Sequence, residues 1–319
     1  MSPSKPHIAL AGATGNLGLV ILDTLLQNNY TVTALTRQTS SAKSTSKLAA
    51  HPNLTILPVD LTSTTSLTTA LLSTSTKASV VISALATSAI GAQNPLIDAC
   101  LVAGVERFIP AEFGMDSLNP LARDLPVCAP KAATQRYLNS KCAENPECGF
   151  SWTGLANGLF LDWCLEQKII LDLKGRSATL YNGGEVKFSV TLLRDVARAV
   201  LGVIGNLDSE EIRNRVVYVH SAVVSQRQLM GYFQEMDQDV DGREWRTVVK
   251  STEEVRRESL EALEKGEAVD VEGSMLGFCI VGSWDPEYGC DFSGRVDNEL
   301  VGVKEMSEEE LKGFIRGLL

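Results

Sequence analysis

Apolar residues in the first half of the chain come in two alternating forms. Short solid runs such as Ile8-Ala9-Leu10-Ala11 give way to longer stretches, as at 16–27, where apolar side chains recur every three or four positions. A short run bounded by turn residues suits a strand buried on both faces, and the longer spacing suits a helix with one face in a core. This pattern predicts strands at 7–11, 30–35, 54–59, 79–85, 107–110 and 150–155, with helices at 16–27, 67–72, 93–103 and 129–141. Strands and helices alternating in this way make an α/β fold with a doubly wound parallel sheet.

Beyond residue 155 the alternation loosens. Short strands are expected at 178–181, 186–189 and 216–221, and helices at 192–204, 226–236, 253–264 and 307–318. The expected organisation is a Rossmann domain over 1–155 and a smaller C-terminal α/β subdomain for substrate over 156–319. The boundary is nominal, because late elements of such folds interleave with the last sheet strands. The Ser/Thr-rich segments 39–46 and 62–76 read as local polarity rather than linkers. The last helix carries Glu308, Glu309 and Glu310 early and Arg316 late, which complements its dipole.

Composition narrows the function classes. With 319 residues, 44% hydrophobic and 21% charged, the chain is globular material. Its polar start leads directly into a strand, and no run of apolar residues is long enough to span a bilayer, so a soluble, cytoplasmic protein without a membrane partner is expected. Seven cysteines without a CxxC pair and three scattered histidines predict neither a disulfide framework nor a metal site. The net charge of −10 lies in the last third: from Glu235 onward there are 22 acidic and 10 basic residues, against 17 and 19 before it. That distribution offers no nucleic-acid footprint. No Gly-x-Ser-x-Gly elbow occurs, which argues against serine hydrolysis.

The candidate chemistry begins at Gly12-Ala13-Thr14-Gly15-Asn16-Leu17-Gly18, placed between the first strand and the first helix. In that position one glycine turns the chain, one admits a pyrophosphate to the backbone N–H groups, and one lets helix and strand pack closely. The second strand ends in Arg37, where an NAD site carries an acid for the ribose 2′-hydroxyl. A guanidinium there can pair with a 2′-phosphate, so NADP(H) is the expected cofactor and NADH and FAD are disfavoured. Lys43 and Lys47 follow as weaker candidates for a second cation. Ser83, Ala84 and Leu85 end another strand and are expected beside the ribose and diphosphate, with Glu112, Phe113 and Gly114 beside the nicotinamide.

These stretches resemble the NmrA-like group of atypical short-chain dehydrogenase/reductases, which includes the isoflavone reductases. The GxxGxxG spacing of 12–18, Thr36-Arg37, Val81 to Leu85 and above all Arg107-Phe108-Ile109-Pro110-Ala111-Glu112-Phe113-Gly114 carry the resemblance, with Ala111 where the family has Ser. The wording looks most like fungal members. Two lysines compete for the catalytic role. Tyr137 and Lys141 form a YxxxK pair like that of ordinary short-chain reductases, but Lys141 falls only nine residues before Phe150. Lys131 lies seventeen residues after Gly114, where the resemblance places the single lysine of isoflavone reductase-like proteins, with Val127 four positions before it in place of tyrosine. Lys131 is the expected proton donor and ribose ligand, with Tyr137 and Lys141 as the alternative. The resemblance also makes Asn157 and Phe160 pocket residues, with Phe113 and Gly114 facing substrate as well. Trp152 and Trp163 read as core, and His220 as a structural hydrogen-bonding residue.

The implied function is an NADPH-dependent reductase acting on an enone, carbonyl or benzylic ether of an aromatic or polyketide-like metabolite, as a monomer or homodimer. Two alternatives remain open: an NADP(H)-sensing regulator without catalysis, and a redox-neutral cyclase or isomerase.

Overall fold

In a computed structural model, the structure describes residues 5–38, 46–73, 77–236, 244–266 and 268–318. The first half forms β1 (Ile8–Ala11), α1 (Asn16–Gln27), β2 (Val32–Arg37), β3 (Leu54–Val59), α2 (Thr64–Leu72), β4 (Val80–Ser83), α3 (Asn94–Ala103), β5 (Arg107–Ile109), α4 (Ala129–Glu144) and β6 (Ser151–Ala156). Then follow β7 (Leu159–Phe160), α5 (Leu161–Glu166), β8 (Ser177–Tyr181), β9 (Phe188–Thr191), α6 (Leu193–Gly205), β10 (Arg215–Tyr218) and β11 (Ala222–Val224). The chain continues through α7 (Gln226–Met236), β12 (Arg246–Lys250), α8 (Thr252–Lys265), α9 (Ala268–Trp284) and α10 (Glu308–Arg316).

Seven strands form one parallel sheet in the order β10-β6-β5-β4-β1-β2-β3. Strands β1, β4 and β6 are buried along their whole length; β1 and most of β4 are accordingly solid apolar runs, while in β6 the buried Ser151 and Thr153 hydroxyls are bonded to Arg107. Both faces of the sheet are covered. Ile21 and Leu25 of α1 pack with Val200 and Val203 of α6 in one core, while Leu67, Ile97 and Leu138 of α2, α3 and α4 pack with Phe108 and Trp152 in the other. A third core, built around Phe188, Phe233, Phe278 and Trp284, holds the smaller second layer together. Within it β11, β9 and β7 form one small sheet and β12 and β8 another. Although β10 and α6 come late in the chain, they complete the first layer.

Sequence and structure differ where periodicity carries least information. Helix α9 was not foreseen: the apolar residues of its second half, Met275-Leu276-Gly277-Phe278-Cys279-Ile280-Val281, run consecutively and leave no 3.6-residue stripe. Strands β7, β11 and β12 are five residues or shorter, and β12 is exposed at almost every position. The second strand runs to Arg37 rather than stopping at Leu35, because Thr36 and Arg37 pair with Pro58 and Val59.

Arg107 begins β5 as a nearly fully buried guanidinium. Its Nε donates to Ser151 Oγ at 2.8 Å, Nη1 to Thr153 Oγ1 at 2.6 Å and Nη2 to the Leu207 carbonyl at 2.6 Å, so one side chain ties β5, β6 and the loop after α6 together. Replacing it with leucine strands that carbonyl and removes three charge-assisted bonds. Arg107→Leu is expected to lower unfolding free energy by about 3 kcal/mol, read from urea denaturation.

Candidate functional site

The sheet order reverses between β1 and β4, and open α/β sheets bind ligands in the crevice at such a point. Gly12 leaves β1 at φ +84°, and a Cβ on it would lie 2.2 Å from the Ala84 carbonyl oxygen at the end of β4. Only glycine permits that approach. A Cβ on Gly18 would lie 2.0 Å from the Gly12 carbonyl oxygen, so the third glycine brings α1 against the turn. Gly15 is exposed and takes no side-chain cap, leaving the first-turn N–H groups of α1, from Asn16 to Gly18, without an acceptor inside the helix. Such an end favours an anion. Ser83, the last residue of β4, is fully buried, yet its hydroxyl has no partner; Ala84 and Leu85 beside it are half-buried. Arg37 is exposed at the end of β2, and Lys47 is exposed in a turn, while Lys43 lies outside the described residues. An uncapped helix end, an orphaned hydroxyl and an exposed guanidinium along one sheet edge fit a phosphorylated dinucleotide.

Two strands along the same edge, roughly 10 Å from β1 at the usual strand spacing, β5 ends in the turn Glu112-Phe113-Gly114. Lys131 rises from the first turn of α4, 5% exposed, and its ammonium donates to the Glu112 carbonyl at 2.5 Å and the Phe113 carbonyl at 3.1 Å. A Cβ on Gly114 would sit 3.1 Å from that ammonium. The Gly114 carbonyl in turn accepts from the N–H groups of Asn157 and Gly158, both at 2.9 Å. The structure therefore brings Lys131, the 112–114 turn and Asn157 together. Asn157 is fully buried; its Nδ2 donates to the Gly158 carbonyl at 3.1 Å, while its Oδ1 has no partner. Phe160 in β7 is half-buried, as is Phe113.

Glu112 is placed differently from its neighbours. Its carboxyl points inward and accepts from Ser117 Oγ, which itself accepts from Gln135 Nε2 at 2.7 Å. Burial raises its proton affinity, opposed by Lys131, Ser117 and Gln135. Among the described contacts, Glu112 offers main chain rather than carboxyl to the lysine. Asp116, also buried, accepts from the Tyr218 hydroxyl at 2.8 Å and the Leu118 N–H at 3.0 Å, and pairs with Arg295 Nη1 at 2.8 Å. Arg295 stacks 4.4 Å above the Tyr218 ring. Burial and Asp116 together push the Tyr218 phenol well up.

Tyr137 and Lys141 are occupied elsewhere. The Tyr137 hydroxyl donates to Asp98 Oδ1 of α3 at 2.6 Å, and the Lys141 ammonium lies 3.1 Å from the same oxygen. The pair braces α4 against α3. Trp152 is buried in the sheet core, Trp163 packs on the third core, and His220 is buried with Nδ1 3.1 Å from Ser189 Oγ.

Ser117, Gln135, Asp116, Tyr218 and Arg295 were not foreseen. Gln135, one helical turn after Lys131, carried a legible signal, because residues four apart share a helix face. The contacts of Asp116 with Tyr218 and Arg295 span more than a hundred positions of sequence and left none.

A parallel sheet with a glycine loop at its switch point defines a Rossmann-type α/β protein. The chain belongs to the NmrA-like family, which matches it over residues 4–243. It is 31% identical over 313 residues to oxidoreductase aprR of Aspergillus flavus, spanning 95% of this chain and 96% of that protein. It is 30% identical over 322 residues to oxidoreductase poxI of Penicillium oxalicum, covering 97% and 94%. Among solved structures, the leucoanthocyanidin reductase–NADPH complex of Vitis vinifera superposes with a TM-score of 0.74 at 17% identity, over 98% of this chain and 99% of that one. That last likeness is one of fold. No helix among the described residues is long and apolar enough to cross a membrane.

The raised proton affinity of Glu112 makes stability depend on pH. Above the carboxyl's ordinary range the folded protein holds this proton while the unfolded chain has lost it, so this group's contribution to stability declines as pH rises. Glu112→Gln removes that decline. Relative to wild type, the variant is expected to gain up to about 1.4 kcal/mol per pH unit from pH 4.5 upward until the folded-state carboxyl ionises, read from urea midpoints across pH.

Proposed function

We propose that the protein is an NADPH-dependent reductase that delivers hydride to an enone, carbonyl or benzylic ether carbon of an aromatic or polyketide-like small molecule, with Lys131 as the proton donor. The observation that carries this reading is the buried Lys131 ammonium, held by the carbonyls of Glu112 and Phe113 with two of its three donors. The oxidoreductase names of its fungal relatives and the NADPH in the grape reductase complex support the reaction class and the cofactor.

The chain's own residues divide the work. The 12–18 loop and the open end of α1 hold the pyrophosphate, Arg37 pairs with the 2′-phosphate, and the Ser83 hydroxyl bonds a ribose or phosphate oxygen. The bound cofactor supplies the hydride. Lys131 holds the nicotinamide ribose and gives a proton to the oxygen or carbon that becomes electron-rich. Asn157 and Phe160, with Phe113 and Gly114, line the place where substrate meets the cofactor.

Two substitutions test these assignments. Arg37→Ala is expected to weaken NADPH binding at least about tenfold while leaving NADH binding unchanged, because a charge-assisted pair to the 2′-phosphate is lost, as read by calorimetry. Lys131→Met is expected to lower kcat by about a hundredfold or more on an aromatic enone, carbonyl or benzylic ether that the wild type reduces. Full turnover in that variant removes Lys131 from the chemistry. NADPH that binds but is not consumed with any such compound identifies a sensor instead.

A further inference from the structure

Gln93 is almost fully buried, and no step of the reaction proposed above uses it. It stands where the connection from β4 enters α3, yet the helix takes only its main chain: the N–H groups of Leu96 and Ile97 donate to the Gln93 carbonyl, both at 3.0 Å, and the side chain makes no cap. The carboxamide turns instead to β5. Its Oε1 accepts from the Ala111 N–H at 2.9 Å, while Nε2 donates to the Ile90 carbonyl at 2.9 Å and lies 3.5 Å from Thr134 Oγ1. An N–H on one side and a carbonyl on the other fix which end of the amide is oxygen.

Ala111 directly precedes the turn that receives Lys131. Gln93 holds its N–H, and the next two carbonyls along the chain, those of Glu112 and Phe113, accept from the ammonium at 2.5 Å and 3.1 Å. Thr134, three residues beyond Lys131, donates to the Pro130 carbonyl at 2.9 Å and brings the start of α4 to the same carboxamide. A Cβ on Gly91 would lie 3.7 Å from Pro130 Cβ, so the connection between β4 and α3 also rests on the start of α4. One side chain thus joins that connection, the end of β5 and the helix that carries the lysine. An apolar side chain of similar size could fill the space, but it would leave the Ala111 N–H without an acceptor.

We propose that Gln93 is a positioning residue for Lys131: by holding the Ala111 N–H it sets the 112–113 carbonyls where they aim the ammonium at the nicotinamide ribose. This rests on the reading of Lys131 as the ribose ligand.

The test uses binding rather than turnover. Calorimetry compares NADPH with adenosine 2′,5′-bisphosphate, which carries the phosphorylated adenosine end and has no nicotinamide ribose, in wild type, Gln93→Leu, Lys131→Met and the double variant. Gln93→Leu is expected to weaken NADPH binding about tenfold, as for the loss of one charge-assisted hydrogen bond, and to leave the bisphosphate unchanged. In the Lys131→Met background the same substitution is expected to change NADPH binding by less than about twofold, because the group it positions is gone. Equal losses in the two backgrounds, an equal loss for the bisphosphate, or no loss of NADPH binding in Gln93→Leu overturns the proposal. Should Gln93→Leu not fold, Gln93→Asn, one methylene too short to span the same partners, is read in the same way. Lys131→Met that binds NADPH as tightly as wild type removes the ribose-ligand reading and this proposal with it, and so does a wild type that binds neither ligand. A loss in Lys131→Met that Gln93→Leu does not share leaves that reading standing and overturns this proposal alone.

Discussion

The meeting of two strand ends organises the molecule. Strands β1 and β4 are neighbours although the chain has already wound outward through β2 and β3, and at their C-terminal ends Gly12 runs close against the Ala84 carbonyl while the Ala84 N–H donates to the Ala11 carbonyl at 2.8 Å. Everything at this edge takes its place from that contact. Helix α1 starts with its N–H groups open, Ser83 ends beside it with an idle hydroxyl, and the next strand outward delivers the 112–114 turn to Lys131. A side chain on Gly12 would force the strand ends apart and disturb the rest of the edge together.

Around Lys131 the protein buries several charges in a small space, which is costly unless each finds a partner. Each does. The ammonium rests on two carbonyls, Glu112 on Ser117, and Asp116 on Tyr218, Leu118 and Arg295. Of the five buried side-chain polar atoms without a hydrogen-bond partner among the described residues, two, Ser83 Oγ and Asn157 Oδ1, lie at strand ends on the ligand-binding edge, and three, on His220, Ser283 and Trp284, lie elsewhere. The idle atoms on the ligand-binding edge, Ser83 Oγ and Asn157 Oδ1, are places where a ligand's oxygens and nitrogens can complete the bonding.

What was legible in the sequence follows from physical range. The strands β1 to β6 and their helices announced themselves through buried runs and helical spacing, and the glycine loop through its position after the first strand. The two lysines have different surroundings: Tyr137 and Lys141 meet Asp98 on a neighbouring helix, while Lys131 meets the 112–114 turn. Helix α9 was hidden because a consecutive apolar run such as 275–281 carries no stripe. The Asp116, Tyr218 and Arg295 cluster was hidden for another reason: pairing across distant chain positions is decided by the fold and leaves no local pattern.

That cluster also bears on how the chain divides. Asp116 belongs to the Rossmann half, but two of the groups that neutralise or bond it, Tyr218 and Arg295, come from beyond β6. Strand β10, too, pairs with β6 although it follows β7, β8 and β9 in the chain. A fragment cut near residue 155 would therefore retain the glycine loop and the lysine while leaving a buried carboxylate bare and a sheet edge open. Residues from both sides of position 155 therefore build one sheet and satisfy one carboxylate, so the edge that would hold a nucleotide takes part of its support from the later half of the chain.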